Sequence, residues 1–228
     1  MLTPESWAAA RLGHRFADPA VLEAALTHRS AGKTNYERLE FLGDAVLTLV
    51  VTALLYREFP VADEGDLSRY RAALVSGSTL AALASELGLG EQLRLGGGEL
   101  KSGGFRRGSI LADAFEGVIG AIFVDGGFEA ARGVIEQLIA DRLQRLPVAH
   151  DLKDPKTRLQ EELQRRGLAL PVYTVESVTG EPHMQYFAVA CEIASLGLKA
   201  RGEGSSRRRA EQEAAQRVLE ELASEARA

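Results

Sequence analysis

The sequence predicts an all-α unit followed by a smaller α+β unit of order αβββα. Three observations carry that reading. Over residues 1–146, alanine and leucine dominate and apolar side chains recur every three and four positions, the spacing of a helix face. Past residue 154 the pattern becomes helix, three strand-like runs, and helix again, ending near residue 226. Between them, residues 147–153 are polar and unpatterned and read as a linker.

The elements follow in order. Helices are predicted near 4–12, 19–30, 65–75, 77–88, 108–125 and 128–145. A further long helix carries the stripe Leu39, Leu42, Val46, Leu49 and Ala53, and Pro60 ends it. Gly96-Gly97-Gly98 and Gly103-Gly104 mark a loop before the helix that begins near Ser109. In the second unit Asp154-Pro155 supplies an N-cap and a proline at the first helical position. Leu159 and Leu163 form that helix's buried stripe, and Gly167 ends it. Val172 to Thr179 alternates as a strand. Phe187, Val189, Cys191 and Ile193 fall on one face of the next, after the turn Gly180-Glu181-Pro182-His183. A third strand covers about Leu198 to Glu203. The last helix places Ala210, Ala214, Val218 and Leu222 four apart.

Bulk composition sets bounds. Net charge is −5, and neither half is basic, so nucleic-acid binding would have to rest on local clusters rather than total charge. The lone Cys191 excludes an intramolecular disulfide and suits a reducing compartment. Met1 to Phe16 lacks a basic segment followed by an apolar one, so no secretory leader is read. The longest apolar run, Ala45 to Tyr56, is short for a bilayer span. A cytoplasmic protein without a membrane partner is expected.

The strongest chemical signal is acidic. Glu40 and Asp44 are four apart and share a helix face, and Asp113 and Glu116 repeat the arrangement at spacing three. Both pairs sit among apolar neighbours. Like charges there resist ionisation unless a cation lies between them, and all-oxygen ligands select hard divalent ions such as Mg²⁺ or Mn²⁺. Solvated helix faces are the plain alternative, and spacing alone leaves both readings open.

Glu37-Arg38-Leu39-Glu40-Phe41-Leu42-Gly43-Asp44-Ala45-Val46-Leu47 resembles the signature of the ribonuclease III family. Asp63-Glu64-Gly65-Asp66-Leu67-Ser68, Gly98-Glu99-Leu100-Lys101-Ser102-Gly103-Gly104 and Ile110-Leu111-Ala112-Asp113 resemble further blocks of that family in the same order. The αβββα tail resembles a double-stranded RNA-binding domain. The resemblance spans nearly the whole chain, in the bacterial arrangement of one nuclease domain and one binding domain. It implies a hydrolase, an endoribonuclease that cuts double-stranded RNA to 5′-phosphate and 3′-hydroxyl ends with short 3′ overhangs. Ribosomal and messenger RNA precursors are the implied substrates.

The resemblance further implies that Glu40, Asp44, Asp113 and Glu116 hold Mg²⁺, with Mn²⁺ able to substitute. Asp44 and Glu116 would be the catalytic members, Glu116 the one whose loss hurts most. Glu37 and Glu64 match positions near the family's cleavage site. Phe41 would pack across a two-fold homodimer. Thr157, Gln160, Glu161 and Gln164 match the face that reads the minor groove of A-form RNA, and His183 the group that enters a second minor groove. Arg207 and Arg208, in Ser206-Arg207-Arg208-Arg209 at a helix start, would meet phosphate. Glu211 stands where the family pattern often carries a third basic residue. Lys101, Arg106 and Arg107 are expected near the phosphate backbone or simply at the surface. Two other classes remain in view: a non-catalytic double-stranded RNA-binding scaffold, and a metal phosphohydrolase of small substrates.

Overall fold

A computed structural model of the chain describes residues 2–181 and 183–225, without the side chains of His150 and Glu225. Pro182, in the expected RNA-contacting turn, and residue 226, the expected end of the second unit, lie outside the described residues. The chain divides after Ala149 into two compact units.

The first unit is helical: α1 (Pro4–Arg11), α2 (Pro19–Ala25), α3 (Glu37–Glu58), α4 (Glu64–Leu74), α5 (Gly77–Glu86), α6 (Gly97–Lys101) and α7 (Gly108–Gln144). Side-chain caps start most of them. Thr3, Asp18, Asp63 and Ser76 each accept a backbone N–H of the first turn. The core is the packing of α3 and α5 against α7, where Leu47, Val51, Leu55, Leu80, Leu83, Phe115, Ile119 and Ile122 are buried. Gly127 breaks α7 with a φ of 76°, a conformation open to glycine, so its halves match the two helices predicted at 108–125 and 128–145.

Several expectations change. The helix predicted to reach residue 30 stops at Ala25, because Thr27 and His28 form an extended pairing with Arg94. The glycine-rich stretch read as a loop contains the short helix α6. On α3 the inner face is Val46, Leu47, Val50, Val51, Leu54 and Leu55, while Leu49 and Ala53 of the expected stripe are exposed. That helix is apolar nearly all round, so spacing alone could not orient it. By length and composition α3 could cross a bilayer, unlike the run read from the sequence, but here its inner face is the core of a helical unit. Ala149, inside the segment read as linker, is buried, and its N–H donates to Tyr70 Oη at 3.1 Å.

The second unit consists of α8 (Pro155–Arg165), β1 (Val172–Thr179), β2 (Tyr186–Ile193), β3 (Leu198–Gly204) and α9 (Arg207–Glu225). The strands form an antiparallel sheet in the order β1-β2-β3, with Val172 opposite Glu192 and Ile193 opposite Leu198. An irregularity at Glu176 bends β1. The helices bury Leu159, Leu163, Ala214, Val218 and Leu222 against Cys191 and Ile193. At Gly202 a Cβ would overlap the backbone of Ala210 and Ala214, so glycine lets α9 lie directly on β3. Asp154 caps α8 as expected, accepting from Lys156 N at 2.9 Å.

Candidate active site

Two helices build the acidic site, and glycine decides how close they come. A Cβ on Gly43 of α3 would overlap the Glu116 carbonyl, and one on Gly120 of α7 would overlap the Leu39 carbonyl. The two backbones therefore touch where the acids are. Gly117, one residue past Glu116, packs against the Tyr36 side chain at the start of α3. Glu40 and Asp44 come from one side of this crossing, Asp113 and Glu116 from the other.

The four carboxylates feel one another. Glu116 is pushed up to about 7, first by burial, then by Asp44, Glu40 and Asp113. Glu40 is raised by burial and by Asp113 and Glu37. Asp113 is raised by burial, with the Arg29 guanidinium opposing and His28 opposing only in its protonated form. Burial, then Asp113 and Glu40, likewise push the Tyr36 hydroxyl up. Among the described residues, none of the four acids has a side-chain hydrogen bond or an ion pair. Nor do any three of them converge into a ready chelating group, as expected of like charges with no counterion between them. An all-oxygen set without protein partners, with Glu40, Asp113 and Glu116 half-buried and Asp44 exposed, fits a hard divalent cation.

Around these acids the charges are paired. A cavity of about 250 Å³ holds Glu40 and Asp113 together with His28, Arg29, Tyr36, Glu37, Glu99 and Arg107. Arg29 lies 3.5 Å from Glu37, and Arg107 lies 3.0 Å from Glu99. Glu37 is thus beside the acids. Glu64 is not brought to them within this chain: it accepts from Ser68 Oγ at 2.8 Å and lines a separate cavity with Tyr56 and Arg71. Arg107 borders the acidic cavity, Arg106 lies over the Phe105 ring, and Lys101 is exposed at the end of α6. The sequence reading missed the crossing glycines and the segment His28-Arg29-Ser30. Gly117 and Gly120, three apart on one helix, were the signal for the first; the second has no local pattern.

In the second unit Thr157, Gln160, Glu161 and Gln164 are all exposed on α8, opposite Leu159 and Leu163. Glu161 is paired with Lys153 Nζ at 2.8 Å. His183 is exposed in the β1–β2 turn. The arginines at the start of α9 differ from one another. Arg207 Nε donates to Glu211 at 2.8 Å, whereas Arg208 is 81% exposed and only loosely near Asp154 at 3.6 Å. Not every first-turn N–H is open to phosphate, since Ser206 Oγ takes that of Arg209. Glu211 is buried. Although desolvation opposes it, Lys156 at 2.6 Å and Arg207 hold its carboxyl below the ordinary value. Its negative charge is thus spent inside the unit.

Residues 18–143 match the family described as ribonuclease-III-like, and residues 155–222 match the double-stranded RNA binding motif. The Ribonuclease 3 of Nitrosococcus oceani is 56% identical over 217 residues, covering 94% of this chain and 93% of that protein. The chain belongs to the ribonuclease III family. The Ribonuclease 3 of Vibrio cholerae is similarly close, 52% identical over 97% of this chain and 99% of its own length. The crystal structure of the nuclease domain of Campylobacter jejuni ribonuclease III superposes with a TM-score of 0.59 at 43% identity, covering 62% of this chain and 97% of that domain. As a ribonuclease III the chain is a hydrolase, an endoribonuclease of double-stranded RNA and a metal-dependent nuclease.

Proposed function

We propose that Glu40, Asp44, Asp113 and Glu116 bind Mg²⁺, with Mn²⁺ as a substitute, and that this centre cuts one strand of an RNA duplex to leave a 5′-phosphate and a 3′-hydroxyl. One observation carries the proposal: four carboxylates stand across a backbone-to-backbone glycine crossing with no hydrogen bond or ion pair of their own among the described residues. When bound, the ion supplies activation of the attacking water and neutralises charge on the phosphate and the leaving 3′ oxygen. The chain's own groups do the rest. Asp44 and Glu116 are the catalytic members. Arg29 and Arg107, already paired with Glu37 and Glu99, balance the acidic rim so that a polyanion can approach. Glu37 supports the site from the same cavity, and Glu64 keeps a supporting role near the cleavage site.

One chain carries one such set, and two antiparallel strands need two. A two-fold homodimer supplies the second and sets the stagger that yields short 3′ overhangs. The outer face of α3 suits it: Phe41, Leu49 and Tyr56 are exposed there, Phe41 at 83%. A groove lined by Val21, Ala24, Leu39, Leu42 and Val124 is the apolar seat for Phe41 of a second copy. The Campylobacter jejuni nuclease domain is itself described as having a region involved in dimer formation.

The second unit reads duplex shape. Thr157, Gln160, Glu161 and Gln164 face one minor groove and His183 the next, with Arg207 and Arg208 on the phosphates between. Residues 1–146 are the catalytic domain, 147–153 the connector and 154–226 the binding domain. Structured precursors, ribosomal RNA included, are the substrates, in the cytoplasm. Long duplex RNA incubated with and without Mg²⁺ is the deciding experiment. Staggered products that require the metal are expected. Binding without cutting would make the chain a scaffold, and no binding would point to small substrates.

A further inference from the structure

We propose that His28 is a positioning residue for Asp113: a neutral imidazole, locked as an Nε2–H donor, that orients the carboxylate for the cation. The inference rests on the metal-site reading above.

The backbone decides the tautomer. The Ser30 peptide N–H can only donate, and it lies 3.2 Å from His28 Nδ1. Nδ1 is therefore an acceptor, and the ring proton sits on Nε2. Ser30 Oγ, 2.7 Å from Nδ1, then shares that nitrogen's single lone pair as a second donor, and it accepts the Gly96 N–H at 2.9 Å. The relay runs from Gly96 N–H to Ser30 Oγ–H to His28 Nδ1, and each bond polarises the next, making Nε2–H a better donor.

The ring is also held in place. His28 N–H donates to the Arg94 carbonyl at 3.0 Å, and Tyr36 packs edge-on with ring centroids 5.8 Å apart. A Cβ on Gly96 would overlap the Ser30 carbonyl, so glycine is what lets the two segments meet here. His28 is 8% exposed, and what it presents opens on the cavity that Asp113 lines. Among the described residues Nε2 has no acceptor and Asp113 has no donor. A fixed donor and an unsatisfied acceptor thus line one small cavity, and a bridging water is the proposed link between them. With one oxygen so held, the other is left for the ion. Outer partners of this kind tune a metal site by orienting its ligands.

Glutamine places an amide N–H where Nε2 sits, whereas asparagine places one where Nδ1 sits. Mn²⁺ binding to the full-length chain without RNA, by calorimetry, is the main readout. The Mg²⁺ concentration for half-maximal cleavage is the second, and long-range ¹H–¹⁵N spectra of the imidazoles the third. His28→Asn is expected to weaken Mn²⁺ binding and raise the Mg²⁺ requirement about tenfold, while His28→Gln stays within about threefold of the parent. The His28 ring should show the Nε2–H tautomer. Equal losses in the two variants would overturn the inference, since the ring would merely pin the loop. So would an unchanged His28→Asn, or a proton on Nδ1. If His28→Asn does not fold, Ser30→Ala carries the test, with weaker Mn²⁺ binding expected and unchanged binding contrary. A parent chain that binds no Mn²⁺ would sink the metal reading itself, a result distinct from a parent that binds while His28→Asn binds as well.

Discussion

Glu116 condenses the physics of the site into one side chain. Its ordinary value is 4.5, and in the folded chain burial and three neighbouring acids push it up to about 7. Between those values the folded chain holds a proton that the unfolded chain has released. Its contribution to stability is therefore complete below about pH 4.5 and lost as pH rises through about 7. Glu116→Gln should accordingly stabilise the metal-free protein at pH 8, by roughly 1–2 kcal/mol once solvent screening of a half-buried group is allowed for. Near pH 4.5 the advantage should vanish. Thermal melts in chelator check this, and a variant no more stable than the parent at pH 8 would refute it. The same variant should still bind duplex RNA and fail to cut it; normal cleavage would remove Glu116 from its role. At this scale the acid pairs stood out only as candidates, because spacings three and four also suit a solvated helix face, and the motif around Glu40 and Asp44 is what singled them out. His28 did not stand out, because its relay depends on Gly96, whose approach is set by tertiary folding.

The crossing of α3 and α7 turns two acid pairs into one site. Gly43→Ala would drive a Cβ into the Glu116 carbonyl, a backbone atom that cannot rotate away. The helices must part, at about 2 kcal/mol or more. Cleavage should fall by at least about tenfold with all four acids intact, since a shift of about 1 Å can cost far more than that. Gly133→Ala on the same α7 is the contrast. A Cβ there meets nothing within 4 Å, so it should stabilise by up to about 1 kcal/mol and leave cleavage unchanged. Urea melts and single-turnover cleavage of both variants test the pair. In the second unit, Arg208→Ala should flatten the salt dependence of duplex binding by up to about 0.9 in slope. Arg207→Ala is expected to cost stability too, because it strips a partner from buried Glu211. An unchanged slope for Arg208→Ala would make that cluster a solvated surface. Element order was largely readable, and Ala210, Ala214, Val218 and Leu222 all fell on the buried face of α9 as spacing predicted. What escaped was α6, hidden by glycines, and the orientation of α3, whose leucines and valines leave no polar side to read.

For the whole molecule, the outer face of α3 is an exposed apolar surface that asks for a partner. Phe41→Asp should give a monomer by light scattering that still melts cooperatively. It should bind duplex RNA more weakly, with half the binding units per particle, and make no staggered double-strand cuts. A dimeric Phe41→Asp would move the interface elsewhere. The same face has a kinetic consequence. If a productive particle needs two chains, dilution below the pairing constant makes cleavage fall with the square of chain concentration. Synthesis level then acts as a throttle: halving the amount of chain would quarter the output.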